Sequence, residues 1–187
     1  MNQALFLDRD GVINEDREDY VKSWEEFRFI PGVRSALKKL RKAKIPVVLI
    51  TNQSVIGRGM ITENELSVIH EGMGKAVQKA GGLFQKIYYC PHHPRDRCRC
   101  RKPRIGLLKK AAQELDLDLT KCVLVGDTLK DIQTGNRAGC RTILVQSGQG
   151  KASLIKIISG KTRIKPDWVC DNLPEAVPLI LEFFRKA

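Results

Sequence analysis

The feature that most constrains this chain is a short apolar segment, Leu5–Leu7, which ends at Asp8, Asp10 and Gly11. A run this short cannot form a buried helix, so it predicts a buried strand of a parallel sheet. Open α/β sheets bind their ligands at the carboxyl ends of the strands, where Asp8 and Asp10 would lie. Two neighbouring carboxylates repel unless a cation neutralises them, and Mg²⁺ prefers such oxygen ligands. For this motif taken alone, an ordinary acidic turn is the alternative.

Similar apolar segments recur along the chain and alternate with amphipathic ones. This alternation predicts an α/β fold, a doubly wound parallel sheet of Rossmann-like type with right-handed crossovers. We expect residues 1–187 to form a single domain. Strands are expected at about 4–7, 45–50, 84–89, 122–125, 142–145 and 168–170, and helices after Pro31, at about 62–80 and 105–115, after Asp127 as far as Ala138, and at 173–184.

The composition is that of a globular protein, since 42% of the residues are apolar and 29% are charged. No apolar stretch is long enough to span a membrane and the first residues do not resemble a signal peptide, so we expect a cytoplasmic protein. We also expect a monomer. The net charge of +12 suits either nucleic acid or a small polyanion. The basic residues are dispersed and do not alternate with aromatic ones, so we expect a small anionic substrate and neither nucleic acid nor a membrane as partner.

The segment 90–103 contains no apolar residue that could anchor it in a core, but it contains three cysteines and two histidines. Three thiolates and one imidazole form a donor set that suits a tetrahedral structural Zn²⁺ site. The expected ligands are Cys90, His92, Cys98 and Cys100, with His93 outside the set. A zinc ion there would also fix the basic pair that follows, Arg101–Lys102. A chance cluster of free thiols is the alternative.

Further polar groups follow two later strands and open one helix. The carboxyl ends of parallel strands meet at one edge of the sheet, so these groups are expected to share a pocket with Asp8 and Asp10. In their order along the chain they resemble the four motifs of the haloacid dehalogenase superfamily of phosphatases, over about residues 4–145: Asp8-x-Asp10-Gly11, Thr51-Asn52-Gln53, Lys102-Pro103 and Gly126-Asp127-x-x-x-Asp131. The resemblance implies one phosphatase domain over residues 1–187.

The resemblance also implies roles for the catalytic residues. Asp8 would be the nucleophile that forms an aspartyl-phosphate. Asp10 would protonate the leaving oxygen and then activate the water that cleaves the intermediate, which requires proton exchange near neutral pH. Thr51 would donate a hydrogen bond to the phosphoryl group, Asn52 would shape the pocket, and Lys102 would neutralise the phosphoryl charge.

For the metal, the resemblance implies Mg²⁺ bound by Asp8, by the backbone carbonyl of Asp10 and by Asp127. Asp131 would lie one helical turn further on and support these ligands without touching the ion. An acidic residue complementing the helix dipole is an equally good reading of Asp131.

Within the superfamily, the cysteine–histidine segment resembles the branch that holds D-glycero-D-manno-heptose 1,7-bisphosphate 7-phosphatases and histidinol-phosphate phosphatases. About forty residues separate Asp10 from Thr51, too few for a large cap domain, so loops would hold the substrate. We expect removal of the 7-phosphate of the heptose bisphosphate; the alternatives are a histidinol-phosphate phosphatase, and a polynucleotide 3′-phosphatase or nucleic-acid-binding module. The expected substrate-binding residues are Asp16, Asp19, Tyr20, Asn52, Gln53, Ser54, Arg58, Arg101 and Thr128.

Three further expectations concern residues outside these motifs. The polar and aromatic segment 14–30 is too irregular for one helix and is expected to form a flap over the site. His70, in a polar stretch of a predicted helix, is expected at the surface. Residues 146–150 are expected to form only a glycine-rich loop.

Overall fold

The computed structural model describes residues 2–186. Its six described strands form one parallel sheet in the order β3-β2-β1-β4-β5-β6. This arrangement confirms the predicted doubly wound α/β fold. The strands are β1 (Leu5–Leu7), β2 (Val47–Asn52), β3 (Lys86–Cys90), β4 (Val123–Gly126), β5 (Arg141–Val145) and β6 (Trp168–Cys170).

The connections between the strands contain the helices expected of parallel crossovers. Two short 3₁₀ turns, Pro94–Asp96 and Leu119–Lys121, interrupt other loops. The described α-helices are α1 (Val33–Lys42), α2 (Ser54–Gly57), α3 (Glu63–Lys79), α4 (Gly106–Leu115), α5 (Leu129–Ala138), α6 (Gly150–Ile158) and α7 (Leu173–Lys186).

The central strand β1 is buried on both faces. Leu5 and Leu7 pack on one face with apolar residues of α1, α3 and α7, and Phe6 packs on the other with residues of α4. All three side chains are fully buried. The strand therefore has no freedom to shift, and it fixes the position of the residues that follow it, Asp8 and Asp10.

Several local expectations are corrected by the structure. Strand β2 continues through Thr51 and Asn52, because both residues pair with β3. Residues 146–149 form the expected loop, but helix α6 begins at Gly150 and continues to Ile158, where no helix was expected. The segment 14–30 is more than a flap, since isolated bridges join Asn14 to Asp10 and Phe29 and it contributes Val21 and Phe27 to the core.

His70 is also corrected, because it is only 9% exposed and its ring lies edge-on to Tyr89. Its buried position follows from the apolar face of α3, which continues through Leu66, Ile69 and Met73. A membrane-crossing helix, which needs length and a continuous apolar run, does not occur among the helices of residues 2–186.

Candidate active site

The predicted polar groups meet at the carboxyl edge of the sheet, around a cavity of about 620 Å³. Asp8 and Asp10 follow β1, Thr51 lies near the end of β2, and Asp127 follows β4. These strands are neighbours in the sheet, so residues more than 100 positions apart in sequence line one cavity. Lys102 reaches the same cavity from the loop before α4.

Lys102 joins two of the carboxylates. Its Nζ atom lies 2.9 Å from Oδ2 of Asp8 and 2.5 Å from Oδ1 of Asp131. Burial lowers the pKa of Lys102, but the two carboxylates outweigh that effect and hold the pKa above its ordinary value. The lysine therefore stays charged while it is almost fully buried.

The carboxylates of Asp8, Asp127 and Asp131 form a compact acidic cluster, in which one oxygen of each lies within 4.8 Å of the others. Burial raises the pKa of Asp8 to about 7, against the opposing effect of Lys102. Burial, and then repulsion from Asp131 and Asp8, raises the pKa of Asp127 to about 9. Buried oxygen donors that resist ionisation in this way fit a hard divalent cation such as Mg²⁺, which would remove the repulsion.

Asp131 both caps a helix and pairs with the buried lysine. Its Oδ2 accepts a hydrogen bond from the backbone N–H of Thr128 at 3.0 Å, which caps helix α5. Its other oxygen pairs with Lys102. The helix therefore begins with an acid that also balances the charge of the buried lysine.

The loop before α6 encloses Asp127. The backbone N–H of Gln149 donates to Asp127 Oδ2 at 2.8 Å, and the hydroxyl of Ser153 donates to the Asp127 carbonyl at 3.0 Å. Gly11 and Gly148 both have positive φ and both face Asp127, where a Cβ atom on either would overlap its carboxylate. Both positions need glycine, because the backbone has a positive φ there and because a side chain would overlap the carboxylate.

Asp10 is held by three side chains. Arg9 donates from Nη2 to both oxygens of Asp10, at 2.7 and 3.0 Å, and from Nε to Oδ1 at 3.2 Å. Asn14 and Gln53 each add a hydrogen bond of 2.9 Å. Burial raises the pKa of Asp10, but Arg9 and these hydrogen bonds outweigh burial, so the pKa lies below its ordinary value.

The end of β2 completes the cavity wall. Gln53 donates to the Thr51 hydroxyl at 2.8 Å, and both residues are buried. Asn52 binds the backbone of Lys102, accepting from its N–H at 3.0 Å and donating to its carbonyl at 3.3 Å. The Thr51-Asn52-Gln53 motif thus contacts both Asp10 and Lys102.

A second cluster lies beside the cavity, at the end of β3. The donor atoms of Cys90, His92, Cys98 and Cys100 approach one another at 3.2–3.6 Å. Tetrahedral Zn²⁺, with Zn–S bonds of about 2.3 Å and Zn–N bonds of about 2.0 Å, places its ligands roughly 3.5–3.8 Å apart. The four predicted residues therefore fit a closed structural zinc site, and His93 instead caps the 3₁₀ turn that follows.

Comparison with known proteins assigns the family. The D-glycero-beta-D-manno-heptose-1,7-bisphosphate 7-phosphatase of Bordetella bronchiseptica is 43% identical over 152 residues, which cover 81% of this chain and 85% of that protein. The phosphatase of the same name from Haemophilus influenzae is 37% identical over the whole of both chains. The chain belongs to the haloacid dehalogenase-like hydrolase family, in the branch of these heptose-bisphosphate phosphatases.

Two further comparisons agree with this assignment. Residues 99–176 match the family model for HAD-hydrolase-like proteins. The crystal structure of D,D-heptose 1,7-bisphosphate phosphatase from B. bronchiseptica, complexed with magnesium and phosphate, superposes with a TM-score of 0.90 at 38% identity and covers 97% of this chain and 99% of that chain. The haloacid dehalogenase-like fold predicted from the four motifs is therefore confirmed.

The substrate-binding residues expected for this family branch are distributed around the cavity. Those that line it are Asp16, Tyr20, Asn52, Ser54, Arg101 and Thr128. Gln53 does not line the cavity itself but donates a hydrogen bond to Asp10, which does. The guanidinium of Arg58 lies over the Tyr20 ring, 5.6 Å from its centroid. Asp19 is 58% exposed and pairs with Arg17 and Lys22 instead of lining the cavity.

Sequence reasoning overlooked several residues that line the cavity, and three of them make informative contacts or carry charge. Arg9 stands between the two motif aspartates, and a basic residue within a buried acidic motif was the available signal. Arg17 lines the same cavity as Arg101 and Lys102. Gln149 donates from Nε2 to Asp16 at 2.8 Å, and no sequence signal marks a contact between residues 133 positions apart.

Proposed function

We propose that this chain hydrolyses a phosphomonoester of a sugar bisphosphate, removing the 7-phosphate of D-glycero-D-manno-heptose 1,7-bisphosphate through an aspartyl-phosphate. The observation that carries the proposal is the cluster of Asp8, Lys102 and two further carboxylates in one cavity of a heptose-bisphosphate phosphatase-like chain. An anionic phosphate ester resists attack, so a phosphatase must neutralise charge and supply a nucleophile in one place.

Asp8 is the proposed nucleophile. Its Oδ1 accepts from the backbone N–H of Arg9 at 2.7 Å and its Oδ2 pairs with Lys102, so the carboxylate is fixed at two points. Lys102 lowers the pKa of Asp8 and burial raises it by more, to about 7, so the ionised and protonated forms coexist near neutral pH. The ionised form is the nucleophile. The carboxylate can then displace the alkoxide from phosphorus, with the phosphoryl group transferred to Asp8.

Asp10 is the proposed base for the second step and, in its protonated form, the proposed proton donor to that alkoxide. The side chains that bond its carboxyl group hold its pKa below the ordinary value, which favours the ionised form that the second step needs and opposes the protonated form that the first step needs. Asp10 lines the same cavity as Asp8, two residues further along the chain. An in-line displacement puts the leaving oxygen opposite the attacking oxygen of Asp8, and the Asp10 carboxyl group is proposed to reach it there. After the alcohol departs, the Asp10 carboxylate can accept a proton from the water that attacks the aspartyl-phosphate. Thr51, on the neighbouring strand, also lines the cavity. Its hydroxyl is proposed to donate a hydrogen bond to the phosphoryl group.

Mg²⁺ would be held by Asp8, the backbone carbonyl of Asp10 and Asp127, with Asp131 supporting Lys102. When bound, it supplies positive charge that offsets the negative charge of the phosphoryl group and of its ligands. Oxygen donors alone make up this cluster, which suits Mg²⁺ rather than a thiophilic metal.

The loops around the cavity are proposed to bind the sugar and the phosphate that is spared. Arg101 lines the cavity and Arg58 lies over the ring of Tyr20, which also lines it, so both are proposed to provide positive charge. Asp16 lines the cavity and is proposed to bind sugar hydroxyls, whereas Asp19 pairs with Arg17 and Lys22 outside it. Zn²⁺ on Cys90, His92, Cys98 and Cys100 is proposed to hold the loop that presents Arg101 and Lys102. The cavity volume suits a sugar bisphosphate, and the surplus of basic over acidic residues favours its approach.

We further propose that residues 1–187 act as one phosphatase domain, and that the protein is a monomer in the cytoplasm. Its proposed partner is a small sugar phosphate, and we expect it to bind neither nucleic acid nor a membrane. Support for the single domain comes from the sheet, because every proposed catalytic residue except Lys102 lies at or just after the carboxyl end of one of two neighbouring strands, β1 and β2. Support for the compartment comes from the six cysteines, none of which is in a disulfide among the described residues, as expected of thiols in a reducing environment.

The test is phosphate release in the presence of Mg²⁺ from three substrates side by side: the heptose bisphosphate, histidinol phosphate and a 3′-phosphorylated oligonucleotide. We expect the heptose bisphosphate to have the highest kcat/KM. Preference for histidinol phosphate would replace the proposed substrate, and preference for the oligonucleotide would replace its class. The Asp8→Asn variant should be inactive while retaining the melting temperature of a folded protein; turnover by this variant would exclude the aspartyl-phosphate.

A further inference from the structure

Arg9 is a buried cation that the proposed mechanism does not use. It is 1% exposed, and it is the largest of the fully buried residues in the described part of the chain. Removing a guanidinium from water costs several kcal/mol, and buried ion pairs often stabilise a fold no better than apolar residues of similar size. Arg9 therefore requires an explanation other than stability.

The hydrogen bonds of the Arg9 side chain all go to one residue. Nε and Nη2 both donate to the carboxylate of Asp10, while Nη1 has no hydrogen-bond partner among the described residues. A planar fork of this kind fixes the plane and direction of a carboxylate, which an ammonium group cannot do. The Arg9 side chain therefore makes three of the five side-chain hydrogen bonds that orient the Asp10 carboxylate, and it alone contacts both oxygens.

The turn between β1 and the following segment does not need the Arg9 side chain. Its hydrogen bonds come from the backbone, since the Arg9 carbonyl accepts from Val12, Ile13 and Asn14. A substitution of Arg9 keeps this carbonyl and so keeps the bonds that form the turn. The structure thus separates the role of the side chain from that of the backbone.

We propose that Arg9 is a positioning residue, whose fork aims the Asp10 carboxyl group at the leaving oxygen. The fork contacts both oxygens of Asp10, whose side chain is still 26% exposed and lines the cavity. The fork thus sets the plane in which the carboxyl group meets the substrate. Asn14 and Gln53 hold the same group from two further directions. This inference rests on the proposed function, in which Asp10 donates the proton.

The test uses the Arg9→Lys variant with two esters whose leaving groups differ. An alkoxide, as in the heptose bisphosphate, must be protonated as it departs, whereas the phenolate of p-nitrophenyl phosphate departs with little help. Because general acid catalysis contributes about 10²–10⁴-fold, we expect Arg9→Lys to lower kcat/KM at least about 30-fold for the sugar phosphate and less than about threefold for the aryl phosphate. Equal losses for both esters would overturn the proposal, since a distorted site does not distinguish leaving groups.

A second measurement uses the Asp10→Asn background. If Arg9 acts through Asp10, adding Arg9→Lys to Asp10→Asn should lower kcat/KM for the sugar phosphate by less than about twofold. Multiplied losses would overturn the proposal, and so would failure of the Arg9→Lys protein to fold, which would make Arg9 a structural residue. Arg141→Lys is the matched control, because Arg141 pairs with an aspartate, Asp167, at the amino end of β5. This variant should leave kcat/KM for both esters unchanged.

The two proposals fail in different ways. If the wild-type protein released phosphate from neither ester, the proposed function would be wrong. If the wild-type protein hydrolysed both and Arg9→Lys lost activity equally on both, only the role of Arg9 would be wrong.

Discussion

Asn52 holds the backbone of Lys102 from both sides, accepting from its N–H at 3.0 Å and donating to its carbonyl at 3.3 Å. One residue belongs to strand β2 and the other to the loop that follows the cysteine–histidine cluster. The two hydrogen bonds connect that loop directly to the sheet. The position of the Lys102 ammonium, and through it that of Asp8, depends on this contact.

We expect Asn52→Ala to lower kcat about 10- to 100-fold, because a small displacement of Lys102 misplaces its charge relative to the phosphoryl group. The free energy of unfolding should fall by only about 1–2 kcal/mol for the two lost hydrogen bonds. Steady-state kinetics and urea unfolding test both values. Asn136→Ala, which also removes an amide bonded to a distant carbonyl, should leave kcat unchanged; a similar loss of kcat there would contradict a specific role for Asn52.

Gly148→Ala should weaken Mg²⁺ binding at least about tenfold, because the added Cβ atom displaces the Asp127 carboxylate. Titration calorimetry with the metal alone measures the effect. Gly160→Ala is the control: Gly160 has a similar positive φ of 70°, but no described atom lies within 4 Å of the position that an added methyl group would occupy. Both variants carry the same backbone cost of about 1–2 kcal/mol, so equal Mg²⁺ affinities would refute the close fit around Asp127.

The purified protein should contain about one zinc per chain, and Cys98→Ser should remove it. We expect this variant to lose at least about 10²-fold in kcat even with excess Mg²⁺, because the loop bearing Arg101 and Lys102 is no longer fixed. Metal analysis and hydrogen exchange over residues 90–103 provide the readouts. Cys170 is a free thiol outside the cluster, so the control variant Cys170→Ser should retain zinc and activity. Full activity of zinc-free Cys98→Ser would show that the metal does not position the loop.

His70 should make the protein less stable in mild acid. Burial, and then repulsion from Arg9, lowers the pKa of His70 to about 3. The unfolded chain binds a proton at this residue below about pH 6.5 whereas the folded protein does not until about pH 3, so stability is lost as the pH falls through this window. Between pH 7 and pH 5 the loss from His70 is about 2 kcal/mol.

The His70→Phe variant isolates this contribution, since a phenyl ring can keep the edge-on contact with Tyr89. Urea unfolding at pH 7 and pH 5 should give the wild-type protein a loss of stability about 2 kcal/mol larger than that of the variant. Parallel losses in the two proteins would mean that His70 gains a proton in the folded state as readily as in the unfolded one.

The sequence determined the class of the fold and most of the candidate site. Short apolar segments that alternate with amphipathic ones can bury both faces only as strands of a parallel sheet, which fixed the strands and their carboxyl-edge residues. Residue type alone then indicated the chemistry, because clustered carboxylates attract Mg²⁺ and three thiolates with an imidazole attract Zn²⁺. The strand ends were misplaced by one or two residues, as at Thr51 and Asn52, because pairing with a neighbouring strand decides them.

Only the tertiary structure decided which side chains hold the catalytic groups in place. Gln149 reaches Asp16 and Asp127 from a segment with no recognisable motif, and His70 is buried because α3 packs against the sheet. Arg9 lies within its motif, yet its role depends on the direction of its side chain. Local sequence constrains backbone periodicity and residue chemistry, whereas these contacts depend on where distant segments pack, and no local pattern records that.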